Sequence, residues 1–195
     1  MNSAAAPRRL VLEFIRPAVR AVPFAMARRL GCCRISLQAR VDSTVTSEWT
    51  RTGDGLQVCV VISGLEEHDA AMELLLCLGQ ALWERLSGGE LRAYWTVLED
   101  EIRAGITGEI DEQALEEKRS LLAGPSGPGG WDRFGPYGRA SFAGTAAEYV
   151  HCLWHDVTVR TGPDHLPASP LRRRLELLAR CFPPDRGYRL FRVRP

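Results

Sequence analysis

The period of hydrophobic and polar positions changes several times along this chain, and each change marks an element. Within residues 8–30, Leu10, Val11, Phe14, Ile15, Ala18 and Val19 fall at helical spacing, which predicts an amphipathic helix bent or divided at Pro17 and Pro23. From Arg34 to Arg40 and from Val45 to Thr52 the pattern alternates. Leu56–Ser63 then follows the turn signal Gly53-Asp54-Gly55 with Val58, Val60, Val61 and Ile62 in close succession. Two or three strands in a small antiparallel sheet are predicted.

The helical period returns after Ser63-Gly64-Leu65-Glu66, which matches a capping box: a serine and a glutamate placed to satisfy free amides at a helix start. From there to Leu86 the apolar residues Met72, Leu75, Leu76, Leu82 and Trp83 surround the helix almost completely, as in a buried central helix. Further helices are predicted at 90–104 and 111–123. Residues 124–138 are so dense in glycine and proline that a long loop is expected. Thr145-Ala146-Ala147-Glu148 matches a second capping box and opens a helix to about Val157. Ser169 as N-cap and Pro170 in the first turn open a last helix, which Pro183-Pro184 stops near Cys181. The expected class is α+β: mostly helical, with the small sheet before the central helix. Residues 1–7 are expected to be a disordered tail and 8–195 a single domain carrying the loop at 124–138.

Composition changes this picture little: 45% hydrophobic and 25% charged residues suit a globular protein. Charge distribution is more telling than the net charge of +1. Residues 1–40 hold eight arginines against Glu13, and residues 171–195 hold eight against Glu176 and Asp185. Between Glu66 and Glu117 there are fourteen acids and three arginines. Pairing of both basic ends with the acidic middle is expected, and no attraction to nucleic acid or membrane. The arginine-rich face of the first helix is read as a surface of a helix docked on the core. Lys118 stands alone against 24 arginines. The six cysteines, at 32, 33, 59, 77, 152 and 181, show no Cys-x-x-Cys spacing and suit reduced thiols in a cytoplasmic protein. Glu13, Arg16 and Pro17 interrupt any signal-peptide core.

One cluster carries chemistry. Glu148, His151, Cys152 and His155 fall at i, i+3, i+4 and i+7, within a stripe of about 100° on one helix. Imidazole, thiolate and carboxylate are all transition-metal ligands. A single straight helix offers two ligands well, so a closed site needs another from elsewhere, such as His165 or Cys77. The pairs His68-Asp69 and His155-Asp156 also suggest a metal-dependent phosphohydrolase of the HD type, which the strands at 34–63 oppose. Nucleophile elbows and phosphate loops are absent from the sequence.

The order of helix, small sheet, buried central helix, further helices and a later short helix resembles the gluzincin branch of zinc peptidases. The resemblance is in particular to small bacterial zincin-like domains and the catalytic domain of anthrax lethal factor. Their central helix carries His-Glu-x-x-His in a phrase like Leu-His-Glu-Leu-Gly-His-Ala-Leu; here the phrase is Leu75-Leu76-Cys77-Leu78-Gly79-Gln80-Ala81-Leu82. Their third ligand lies in a phrase like Glu-Tyr-Phe-Ala-Glu, matched here by Glu148-Tyr149-Val150-His151-Cys152. The resemblance spans roughly residues 55–182. It implies ligand positions at Leu76, Gln80 and Glu148 and the general base at Cys77. Leu76 has no donor atom and Gln80 is a poor zinc ligand, so hydrolysis by the family mechanism is not expected. A catalytically inactive, zincin-like domain without a cofactor, binding a protein or peptide partner, is therefore the leading expectation. The alternative is a metal-dependent hydrolase, with zinc, whose site has moved to the 145–157 helix.

Overall fold

The computed structural model describes residues 6–39, 47–124, 130–155 and 161–191. The N-terminal stretch begins with a π-helical turn, Leu10–Ile15, that runs directly into α1 (Arg16–Ala21); after a break at Val22-Pro23, α2 spans Phe24–Leu30. Pro17 lies in the first turn of α1, where its missing N–H is tolerated, so only Pro23 divides the helix. Leu10, Ile15, Ala18, Ala21, Met26 and Leu30 turn inward to the core.

Strands β1 (Cys33–Gln38), β2 (Ser47–Thr52) and β3 (Gly55–Val61) form one sheet in the order β1-β3-β2. The β2–β3 hairpin is antiparallel and pairs Thr52 with Gly55 around the predicted Gly53-Asp54 turn. Strand β1 runs parallel to β3, pairing Ile35 with Val58, so the sheet is mixed rather than antiparallel throughout. The reason is topological: β3 inserts between β1 and β2 instead of adding beyond them. Leu56, Val58 and Val60 bury one face of β3.

Seven α-helices are present among the described residues, and the fold is α+β and mostly helical. The central α3 (Glu67–Trp83) buries Ala71, Leu74, Leu75, Leu78 and Leu82. It packs against α6 (Gly130–Trp154) so closely at Gly79 that a β-carbon there would lie 2.8 Å from the Ala143 carbonyl oxygen. Glycine is the residue that permits this crossing. The helices α4 (Gly88–Arg103), α5 (Glu112–Ala123) and α7 (Ala168–Cys181) enclose the far side of α6.

Four local expectations are corrected. Ser63 does not cap α3: Gly64 at φ +79° forms a turn, and the helix starts at Glu67 without a side-chain cap. Thr145 lies inside α6, where its hydroxyl donates to the Ser141 carbonyl at 2.8 Å. The last helix begins at Ala168, so Ser169 is already within it rather than capping it, while Pro170 does lie in its first turn. Most consequentially, 124–138 is not one loop, because α6 starts at Gly130 and carries Pro136 within it. Residues 125–129 lie outside the described residues. The capping box that is formed joins Ser87 and Glu90 at the start of α4.

The basic ends do pair with the acidic middle. Arg29 forks onto both oxygens of Glu90 at 2.6 and 2.8 Å, Arg9 lies 3.6 Å from Glu67, and Arg173 reaches Asp100 at 2.6 Å. The deepest pairing is fully buried. Arg174 on α7 donates to Glu109 at 2.7 and 2.8 Å, to Ser141 at 2.7 Å, and to Glu101. Glu109 also accepts from Lys118 at 3.0 Å and from Tyr137 at 2.6 Å. The chain's one lysine is thus fully enclosed. Two cations face two carboxylates here, which is how buried charge becomes tolerable.

Candidate metal centre

The antiparallel packing of α3 on α6 brings His68, in the first turn of α3, against the last turns of α6. His151 in the last turn of α6 and His155 just past its end, whose N–H still bonds to the His151 carbonyl, lie four residues apart with their rings stacked. One nitrogen from each of the three rings lies within 4.8 Å of the other two. The closest approach is His68 Nε2 to His151 Nε2, at 3.0 Å. The His151 and His155 rings are nearly parallel, with centroids 5.1 Å apart. His151 is buried at 6% exposure, His68 is partly open and His155 is exposed, so the cluster has a closed floor and an open mouth. Trp154 lies edge-on to both α6 histidines and supplies an apolar wall.

The far nitrogens explain how the near ones are prepared. Glu148 Oε2 lies 3.6 Å from His151 Nδ1, and Asp69 Oδ1 lies 3.5 Å from His68 Nδ1. Each carboxylate lies on the Nδ1 side of its ring, beyond hydrogen-bond distance but near enough to attract a proton there. His151 Nδ1 is buried and has no hydrogen-bond partner at normal distance. With protons on both Nδ1 atoms, two Nε2 lone pairs face each other across 3.0 Å. Only a cation between them, or a shift of one proton to Nε2, relieves that repulsion. Two nitrogens bound about 2.0–2.1 Å from one zinc lie about 2.9 Å apart at a right angle and about 3.3 Å apart in a tetrahedron. The observed 3.0 Å falls between these two spacings and is also the length of a hydrogen bond between the two rings.

The remaining predicted residues take other roles. Glu148 and Cys152 belong to this corner but not to the ring of donors: Cys152 Sγ donates to Glu148 Oε1 at 3.9 Å. Burial first, then the charge of Glu148, pushes the Cys152 thiol well up, so it stays protonated and a weak ligand. His165 pairs in a short bridge with Glu109 and does not enter the cluster. Cys77 is buried near Ser47, and burial raises its thiol to about 11. At the zincin-type positions, Leu76 packs on the core and the Gln80 amide is engaged. Gln80 accepts from Trp49 Nε1 at 3.0 Å and donates to Gln113 at 3.3 Å. Gln80 and Glu148 therefore bond to different partners, and the residues at 76, 77 and 80 do not fit a zinc ion. Asp156 lies outside the described residues.

His68 is the donor that the spacing analysis left out of the cluster. Its only sequence signal was the His-Asp pair, whose aspartate does approach the ring from behind. No helix of the described residues is long and apolar enough to cross a membrane. No family model, curated protein or solved structure matches this chain.

Proposed function

We propose that the protein binds one divalent transition-metal ion, of which zinc suits the imidazole donors best, through His68, His151 and His155. The observation that carries this reading is the pair of Nε2 atoms 3.0 Å apart, each backed by a carboxylate at its Nδ1. Three protein ligands with an open mouth correspond to catalytic rather than structural zinc sites, which close with four. When bound, such an ion supplies a water of lowered pKa, near 7, for hydrolytic attack. The chain's own residues hold and orient the donors, and Trp154 limits water on one side. This modifies the relocated site expected on the 145–157 helix: His151 and His155 are kept, Glu148 and Cys152 are not donors, and the third donor, His68, comes from α3.

The test uses untagged protein equilibrated with zinc, and cobalt as a spectroscopic substitute. One ion per chain is expected, with binding lost in His68→Ala and in His151→Ala and weakened at least tenfold in His155→Ala. Stoichiometric zinc retained by both His68→Ala and His151→Ala would refute the centre. A panel of p-nitrophenyl esters and phosphoesters tests the hydrolytic half separately.

A second reading, the non-catalytic zincin-like domain that binds a peptide or protein, is favoured by the side-by-side crossing of α3 and α6 at Gly79, which that ancestry requires. It is left standing if zinc-equilibrated protein contains no metal and all three histidines can be replaced without effect.

A further inference from the structure

We propose that the outer face of the N-terminal helices docks on an anionic lipid surface. This goes beyond the metal centre and does not depend on it. It also departs from the expectation that the first helix is merely docked on the core with no membrane contact. The inner side of the segment is indeed spent on the core. The outer side has an unusual make-up: Arg8, Leu12, Arg16 and Arg20 recur every four residues before the break at Val22-Pro23, Phe24 and Arg28 stand one turn apart in α2, and all six are exposed. Val19 joins them. Leu12 is 41% exposed, Val19 38% and Phe24 67%.

The charges on this face are not consumed internally. Arg8, Arg16, Arg20 and Arg28 have no carboxylate within 4.0 Å among the described residues. Arg9 does, through Glu13 and Glu67. The C-terminal arginines approach the same region. The Phe24 N–H donates to both oxygens of Asp185 at 3.0 and 3.2 Å, which brings the exposed Arg186 beside the start of α2.

Charge complementarity calls for an anionic partner, and the interleaved apolar side chains choose among such partners. A uniformly acidic polypeptide would pair with the arginines but leave Leu12, Val19 and Phe24 in water, and a nucleic acid, whose bases can stack on Phe24, would still leave Leu12 and Val19 there. A bilayer interface accepts both groups: arginines at the headgroup phosphates, and leucine, valine and phenylalanine at the acyl boundary. Because the inner face is held by the core, the helices cannot roll inward. Contact is therefore limited to the depth of these side chains, and binding is peripheral and salt-sensitive.

The experiment is vesicle flotation with the full chain. Vesicles of phosphatidylcholine alone are compared with vesicles containing about 30% phosphatidylserine, at about 0.05 M and about 0.5 M salt. Binding is expected only to the anionic vesicles and only at the lower salt. The variant Arg16→Gln/Arg20→Gln should partition about 25-fold more weakly, at roughly fivefold per arginine. Phe24→Ser should lose several-fold, and Arg92→Gln, which removes an exposed charge on α4, should change nothing. All these positions are on the surface, so an unchanged thermal midpoint verifies the fold. The proposal is overturned if the anionic vesicles do not float the protein, if neutral vesicles bind equally, or if Arg92→Gln weakens binding as much as the double variant. Capture by poly-glutamate without vesicle binding overturns it too, in favour of an acidic polypeptide.

Discussion

Replacing Arg174 by methionine should be among the most damaging single changes in this protein, and pH should reveal why. The guanidinium is fully buried and donates to Glu101, Glu109 and Ser141. Methionine restores much of the volume but none of the charge. Glu109 keeps Lys118 and Tyr137, whereas Glu101 loses the guanidinium that pairs with it. Breaking a buried pair from one side costs about 3–5 kcal/mol, because an uncompensated charge stays inside. In a domain of about 5–15 kcal/mol total stability, that removes a third or more. Burial alone would push the Glu109 carboxyl up, but Arg174, with Lys118 and Tyr137, holds it down at about 2 rather than 4.5. A carboxyl depressed on folding contributes stability above its unfolded pKa and loses it as pH falls through the folded value. For Glu109 that amounts to about 3 kcal/mol, fading between about pH 4.5 and 2. In Arg174→Met this depression is largely gone, so the part of the gap that Glu109 contributes fades at low pH. Urea unfolding followed by circular dichroism should thus show a gap of about 3–5 kcal/mol at pH 7 that narrows by at least about 1 kcal/mol at pH 4. The further change Glu101→Gln should recover part of the loss at pH 7. A gap under about 1 kcal/mol, or one constant with pH, would refute the reasoning.

Three further changes probe neighbouring positions. In Gly144→Ala, the new β-carbon would stand 2.0 Å from Asp111 Oδ2, while Asp111 Oδ1 caps α5 by accepting from the Ala114 amide at 2.9 Å. Thermal unfolding should show a loss of about 2–4 kcal/mol, whereas Gly135→Ala, with open space around it, should gain about 0.5–1 kcal/mol. Burial raises the Asp111 carboxyl to about 6 from 3.8, so its ionisation opposes folding, and stability falls as pH rises between those values. Asp111→Asn can still cap α5, and at pH 8 it should be more stable by about 1–3 kcal/mol, an advantage absent at pH 4. Chemical denaturation at the two pH values tests this.

The places where the fold departed from its sequence signals share one cause. Glycine and proline were read as chain breakers across 124–138, yet α6 passes through Pro136 and Gly138. Gly138 is there for its small size: a β-carbon would meet Trp83 and Trp95 rings at 3.1 Å. Phe134 and Tyr137 bury on the same stretch, and Tyr137 reaches Glu109. Tertiary packing supplies what local propensity withholds, and a single sequence cannot display that packing. Capping boxes failed in the same way, because a serine–glutamate spacing acts as a cap only where the backbone turns, and at Ser63 the turn belongs to Gly64. The hairpin, the buried central helix and the stop at Cys181 were legible because each depends on short-range pattern: a turn pair, an apolar run, a proline pair.

The candidate centre was half legible for a related reason. His151 and His155 stand four residues apart at the end of α6, and that spacing is visible in the sequence. His68 lies 83 positions before His151, and nothing local shows that the two rings meet. What joins them is helix register, fixed eleven residues further along α3 by the contact of Gly79 with Ala143 and Ala146. At about 1.5 Å of rise per residue, sliding one helix past the other by a single residue would spoil a 3.0 Å approach. Gly79 thus sets the depth and register at which α3 and α6 meet. The histidines at the other end of that crossing inherit their geometry from it.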